Sequence, residues 1–213
     1  TSETSVNISR LLGRLGLAAL PANKNQEVLD VFNDIYPESF LLCNVLEVAI
    51  SNSNLILHPT PTLLSAARIE NSKGDFYLYR EAFTPAVLEV TDEMDREVVR
   101  VKNALGMRPI SHSELFAKRY DVADFRAFIK EVIGPKGNKG PFEVSSRYIT
   151  EDTPIGLRLL SSLGDYAGIP TPTFDASIQF AGLMNKTNYW ETGMTLEFLG
   201  LAELALPELQ HYL

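Results

Sequence analysis

One cysteine, Cys43, serves the whole chain of 213 residues. That excludes a disulfide within the chain and a cysteine-rich zinc centre, and no metal site is expected. Such cysteine usage fits a reducing, cytoplasmic setting. No apolar stretch reaches the roughly 18 residues of a membrane helix, and no charged-then-apolar leader marks a signal peptide. Positive charge is also in short supply: 19 Lys and Arg face 27 Asp and Glu, a net charge of −8. A nucleic-acid or anionic-membrane surface needs the opposite balance. Extended-strand patterning is sparse, with Phe76-Tyr77-Leu78-Tyr79 the main candidate for an extended segment in the body of the chain.

Helix signals are plentiful. Four Thr-Pro pairs (Thr60-Pro61, Thr84-Pro85, Thr153-Pro154 and Thr171-Pro172) each precede an apolar-periodic run. Thr is a good helix N-cap and Pro suits the first helical position, so each pair predicts a helix start. After Thr84, Val87, Val90, Met94, Val98, Val101 and Leu105 step by three or four residues along one face, with Asp92 and Arg96 spaced to pair on the polar side and Gly106 as a C-terminal stop. Further helices are expected at about 39–52 and 122–132, with a shorter one at 196–199 ending at Gly200. The segment Leu15–Pro21 followed by Val28, Leu29, Val31, Phe32 and Ile35 reads differently, as a strand and then a helix. Gly134–Pro141, with three glycines and two lysines, lacks the ending of a phosphate-binding loop and reads as a solvated connection.

Three histidines are present. His112-Ser113-Glu114 echoes a deaminase motif, but the downstream Pro-Cys-x-x-Cys it requires is missing, and a structural or surface role is expected. His211, near the end of the chain, is expected at the surface. His58 precedes Pro59, which disfavours helical backbone, so it should sit at a break after an apolar run. An imidazole there can exchange protons near neutral pH. Asp152 and Glu151 precede Thr153-Pro154, where a helix dipole would favour negative charge, and an ionised Asp152 can orient an imidazole. Arg147 offers a planar fork for a carboxylate. On the residues alone, a structural His58 and ordinary helix-start acids are the competing reading.

These settings together resemble the C-terminal domain of the octopine/nopaline (opine) dehydrogenase family. The resemblance is carried by Asn52–Pro59, Arg68-Ile69-Glu70, Gly74–Tyr79, Asp95-Arg96-Glu97, Ala104-Leu105-Gly106, Arg147–Leu157 and Gly193–Leu201. Met194 departs from it, standing where a basic residue is expected. The resemblance implies a mainly α fold, a helical bundle-like domain of the 6-phosphogluconate dehydrogenase C-terminal type over 39–213, with a strand–helix remnant of a Rossmann domain over 1–38. It implies an NAD- or NADP-dependent oxidoreductase that condenses an amino acid with a 2-keto acid. His58 and Asp152 would do the acid–base work, and Arg147 and, as a weaker candidate, Asn54 would contact substrate.

The Rossmann fingerprint G-x-G-x-x-G does not occur, and Gly13 and Gly16 do not supply it. The cofactor would therefore be held mainly by a dinucleotide-binding domain absent from this chain, leaving the isolated chain inactive. The first residue, Thr1, suits a processed chain or a piece of a longer one. Two alternatives are a related hydroxy- or keto-acid dehydrogenase domain with no amine substrate, and a non-catalytic helical module for binding or dimerisation.

Overall fold

The computed structural model describes residues 14–137 and 139–213. Gly13 and Asn138 lie outside that set, as does the His211 side chain. The fold is mainly α. Strand β1 (Gly16–Leu17), helix α1 (Asn25–Asn33) and strand β2 (Phe40–Leu41) form a small parallel unit, with Gly16 opposite Phe40 and Leu17 opposite Leu41. The strand and helix expected at the start are present. The helix expected from residue 39 starts later, because the Phe40 and Leu42 amides donate to Leu15 and Leu17 carbonyls at 2.9 and 2.8 Å. Those bonds hold the chain extended to Leu42. Helix α2 (Val45–Ile50) then begins where the Asn44 side chain accepts from the Glu47 amide at 3.0 Å.

Short helices α3 (Asn54–Leu57), α4 (Pro59–Leu64), α5 (Ala66–Asn71) and α6 (Leu78–Glu81) follow. Long helix α7 (Pro85–Ala104) then runs through the centre and packs against α3, α4 and two later helices. Its start is the predicted one, with the Thr84 hydroxyl accepting from the Val87 amide at 3.4 Å. Met94, Val98 and Val101 are fully buried, while Val87 and Val90 are only half-buried. Gly106, at φ +69°, turns the chain away in the left-handed region where a Cβ is costly. The expected Asp92–Arg96 pair does not form: Asp92 pairs with Arg126 and Arg96 with Glu93.

Helices α8 (His112–Tyr120), α9 (Phe125–Ala127), with a π-helical continuation over Phe128–Ile133, and α10 (Arg147–Thr150) lead into α11 (Arg158–Ala167) and α12 (Pro172–Asn185). Short α13 (Tyr189–Thr192) and α14 (Leu206–Tyr212) close the chain. Residues 196–199 form turns rather than a helix, although Gly200 does end them at φ +71°. In the Gly134–Pro141 connection, Lys139 pairs with Asp75 at 2.9 Å. The extended reading of 76–79 holds only as far as Tyr77, which bridges Gly140, because the Tyr77 amide is then drawn into α6 by Glu81 at 2.8 Å.

Two acidic side chains of α7 organise the neighbouring helices. Asp95 accepts from the His112 and Ser113 amides at 2.7 and 3.0 Å, the first turn of α8. Glu97, fully buried, accepts from the Thr173 and Phe174 amides at 2.9 and 3.2 Å, the first turn of α12. Helix N-termini carry unpaired amides and partial positive charge, so buried carboxylates satisfy both needs. This corrects the capping expected of Thr171: its hydroxyl turns to Asp175 at 3.3 Å, and Glu97 supplies the cap from another helix. No helix among the described residues is long and apolar enough to cross a membrane.

Candidate active site

His58 lies between α3 and α4 at φ −109° and ψ −68°. The break forms where sequence reasoning put it, but α4 begins at Pro59 rather than at Thr60-Pro61. The Thr62 amide already donates to the His58 carbonyl at 3.1 Å, and the Thr60 hydroxyl bonds Ser177 of α12 at 2.8 Å instead of capping. The ring is therefore held by two short helices pointing in from either side, and His58 is 6% exposed.

Asp152 comes from the segment joining α10 to α11, which packs against α3, while α10 packs against α4. The chain from α10 to α11 is a nearly unbroken helical run in which Thr153–Leu157 is a π-helical turn. The Ile155 amide reaches back to the Glu151 carbonyl at 3.3 Å. Asp152 thus sits inside a helical run, at the mouth of its widened turn, and not ahead of a fresh helix start. The free helix N-terminus expected just after it is therefore not formed, and the side-chain partner of Asp152 is His58. Gly156 allows the close approach: a Cβ there would fall 2.2 Å from Cδ2 of the buried Leu55 on α3.

The result is a dyad separated by 94 positions in sequence, with His58 Nδ1 and Asp152 Oδ2 2.8 Å apart and both side chains buried. A carboxylate accepts, so Nδ1–H donates. On the far side of the ring, Nε2 lies 2.9 Å from the Tyr79 hydroxyl. Tyr148 stacks on the imidazole face, with centroids 4.0 Å apart and planes 20° apart. Burial first, then the neighbouring Tyr148 hydroxyl and Asp152 carboxylate, push the Tyr79 phenol above its ordinary pKa. Sequence reasoning missed both tyrosines as site residues. Tyr148 stands beside Arg147, and Tyr79 ends the Gly74–Tyr79 segment, but neither carries a local signal for contact with His58.

Asn54 is one helical turn before His58, its carbonyl accepting the His58 amide at 3.1 Å, and no contact joins its side chain to the dyad. Arg147 is on α10 beside Tyr148, 67% exposed, with its nearest acidic partner Glu151 at 3.4 Å. It does not touch His58 or Asp152, so it is positioned by sequence neighbourhood rather than by contact.

A second His–Asp pair lies apart from this one. His112, almost fully buried, places Nδ1 3.0 Å from Asp95, and its Nε2 has no hydrogen-bond partner among the described residues. Burial alone would raise the Asp95 carboxyl, but hydrogen bonds from His112 and Ser113 outweigh it and hold it below the usual carboxylate range. A cavity of about 500 Å³ lies between the strand pair, α2, α8 and the segment around residue 155, bordered by Phe40, Ser51, His112, Arg119 and Asp152. Of the His58 dyad only Asp152 reaches it. No cluster of three metal-ligating side chains occurs among the described residues.

A family model described as NAD/NADP octopine/nopaline dehydrogenase, alpha-helical domain, matches residues 41–185. The chain is 32% identical over 201 residues to an opine dehydrogenase of Arthrobacter sp., covering 93% of this chain and 56% of that protein. It is 26% identical over 156 residues to a vitopine synthase of Allorhizobium ampelinum, covering 72% of this chain and 43% of that protein. It is 23% identical over 180 residues to the protein ocs of Agrobacterium tumefaciens, covering 83% and 50%. The chain thus spans about half the length of the curated relatives it matches.

Proposed function

The chain belongs to the NAD/NADP octopine/nopaline dehydrogenase family, and on that premise we propose that it is the substrate-binding and catalytic part of an oxidoreductase joining an amino acid to a 2-keto acid. The observation that carries this reading is the buried His58–Asp152 contact at 2.8 Å. Reduction of a carbonyl or imine carbon leaves negative charge on its oxygen or nitrogen. A protonated imidazole meets that charge and supplies the proton, and in the oxidative direction the neutral ring takes it back. Asp152 fixes the tautomer and orientation by holding Nδ1–H. Arg147, largely exposed and paired with an exposed Glu151, can exchange that weak pair for a substrate carboxylate at little cost. Asn54 shares the His58 segment and offers an amide for a polar substrate group.

The described residues do not fit the diphosphate of a nicotinamide dinucleotide. The turn between β1 and α1 carries Pro21 and a 3₁₀ segment, Ala22–Lys24, with no glycine, and no side chain caps α1. We assign that grip, and the choice of NAD or NADP, to a dinucleotide-binding domain of which residues 1–38 form the tail and 39–213 the partner. The two parts meet where β1 pairs with β2, Gly16 opposite Phe40 and Leu17 opposite Leu41. In support, α1 buries none of its residues, and Val31 and Ile35 are each 66% exposed, an apolar face suited to the rest of such a domain.

The test is oxidation of NADH or NADPH by the full-length protein with pyruvate, with and without a panel of amino acids. Turnover that requires an amine is expected. Turnover with the keto acid alone would identify a hydroxy-acid dehydrogenase instead.

A further inference from the structure

We propose that Tyr79 is a catalytic residue that relays the proton between His58 and the substrate. The proposal rests on the acid–base reading of His58 above and adds the group that touches the reacting atom. Both ring nitrogens of His58 are already engaged, Nδ1 by Asp152 at 2.8 Å and Nε2 by the Tyr79 hydroxyl at 2.9 Å. Tyr148 covers one face of the ring at 4.0 Å, and the imidazole is 6% exposed. Tyr79 is half-buried where His58 is buried, so the phenol is the more accessible of the two groups.

Tyr79 is also held in place. It belongs to α6, whose first turn is tied by the Glu81 side chain to the Tyr77 amide at 2.8 Å. Its ring lies nearly parallel to Phe83, 7° between planes at 6.2 Å. The hydroxyl suits both charge states of the histidine. A neutral His58, with its hydrogen on Nδ1, accepts the Tyr79 hydrogen at Nε2. A protonated His58 donates from Nε2 to the phenol oxygen, and the phenol hydrogen then turns to another acceptor, the neighbouring Tyr148 hydroxyl or a substrate atom. Burial raises the phenol pKa, so Tyr79 rests as the neutral phenol with a hydrogen to give.

The step balances as two coupled transfers. A nicotinamide dinucleotide held by the full-length protein would supply the two electrons that reduce the substrate carbon, which would leave an electron pair on its oxygen or nitrogen. That pair forms a bond to the Tyr79 hydrogen as the phenol O–H breaks. The phenol O–H re-forms with the Nε2 hydrogen of His58, leaving a neutral imidazole and an unchanged tyrosine.

Tyr79→Phe in the full-length enzyme keeps the ring and its stacking and removes only the hydroxyl. We expect kcat to fall by about 100-fold or more with KM little changed. The proton inventory in H₂O/D₂O mixtures should change from a bowed curve, reporting two moving protons, to a line. The ¹⁵N resonance of His58 Nε2 should shift with the lost hydrogen bond, without substrate or cofactor present. Turnover within a few-fold of the parent, or an inventory unchanged in shape, would overturn the relay. His58→Gln in the same assay keeps the two proposals apart. If His58→Gln is inactive while Tyr79→Phe is normal, only the relay fails; if His58→Gln is itself active, the acid–base reading fails with it.

Discussion

Two buried His–Asp pairs sit in one helical domain and differ in everything around the bond. At His112–Asp95 the carboxylate also takes two backbone amides of α8, and the second ring nitrogen has no partner among the described residues. That carboxylate works as a helix cap reaching across from α7, and the imidazole completes its set of donors. At His58–Asp152 the histidine itself sits at a helix break, the aspartate sits at a π turn, and the second nitrogen meets a phenol. Single π turns recur at functional sites because they interrupt the regular ladder. A histidine close to an aspartate therefore does not announce chemistry. On the function proposed here, what sets His58 apart is that its other nitrogen meets a hydroxyl able to carry a proton.

The largest expected effect on this contrast comes from Asp152→Asn, which keeps size but lets the imidazole take the wrong tautomer. Turnover of the full-length enzyme should drop by roughly 10²–10⁴-fold while the unfolding midpoint moves little; steady-state kinetics beside a thermal melt would check both. Asp95→Asn should show the reverse pattern, because it weakens charge-assisted bonds that fasten α8. Loss of roughly 2–3 kcal/mol in chemical denaturation is expected, with turnover retained.

A smaller effect follows from pH. The folded Asp95 pKa lies below its ordinary value of about 3.9, so the unfolded state binds more protons between the two values. Its stabilising contribution is therefore complete above about pH 5 and fades as pH falls through the folded value. Acid unfolding of the parent and of Asp95→Asn should converge in that window. Curves that stay parallel down to the acid limit would count against the assignment.

Much of the helical frame was legible in the sequence, because α7 combines a capping Thr, a first-turn Pro, period-3.6 burial and a terminal Gly. Local chemistry writes all four signals. The Thr-Pro rule failed at Thr60 and Thr153 for a physical reason. Pro59 had already opened the helix at the first, and α10 had already supplied a preceding helical turn at the second. Strand β2 was hidden because a two-residue parallel pairing depends on a distant partner rather than on its own composition. His58 and Asp152 stood out through their proline flanks and their family-like surroundings. Tyr79 and Tyr148 did not, since their contacts with His58 are made by packing between α6, α10 and the α3–α4 break, which no local pattern encodes.

Parallel measurement of kcat and unfolding midpoint for His58→Gln and His112→Gln in the full-length enzyme tests the central claim most directly. We predict that His58→Gln lowers kcat by about a thousandfold and leaves the midpoint within a few degrees, roughly the shift of 1 kcal/mol or less. His112→Gln should lower the midpoint and leave kcat within a few-fold. A His58→Gln enzyme that turns over normally, or a His112→Gln enzyme that is inactive yet as stable as the parent, would contradict the account.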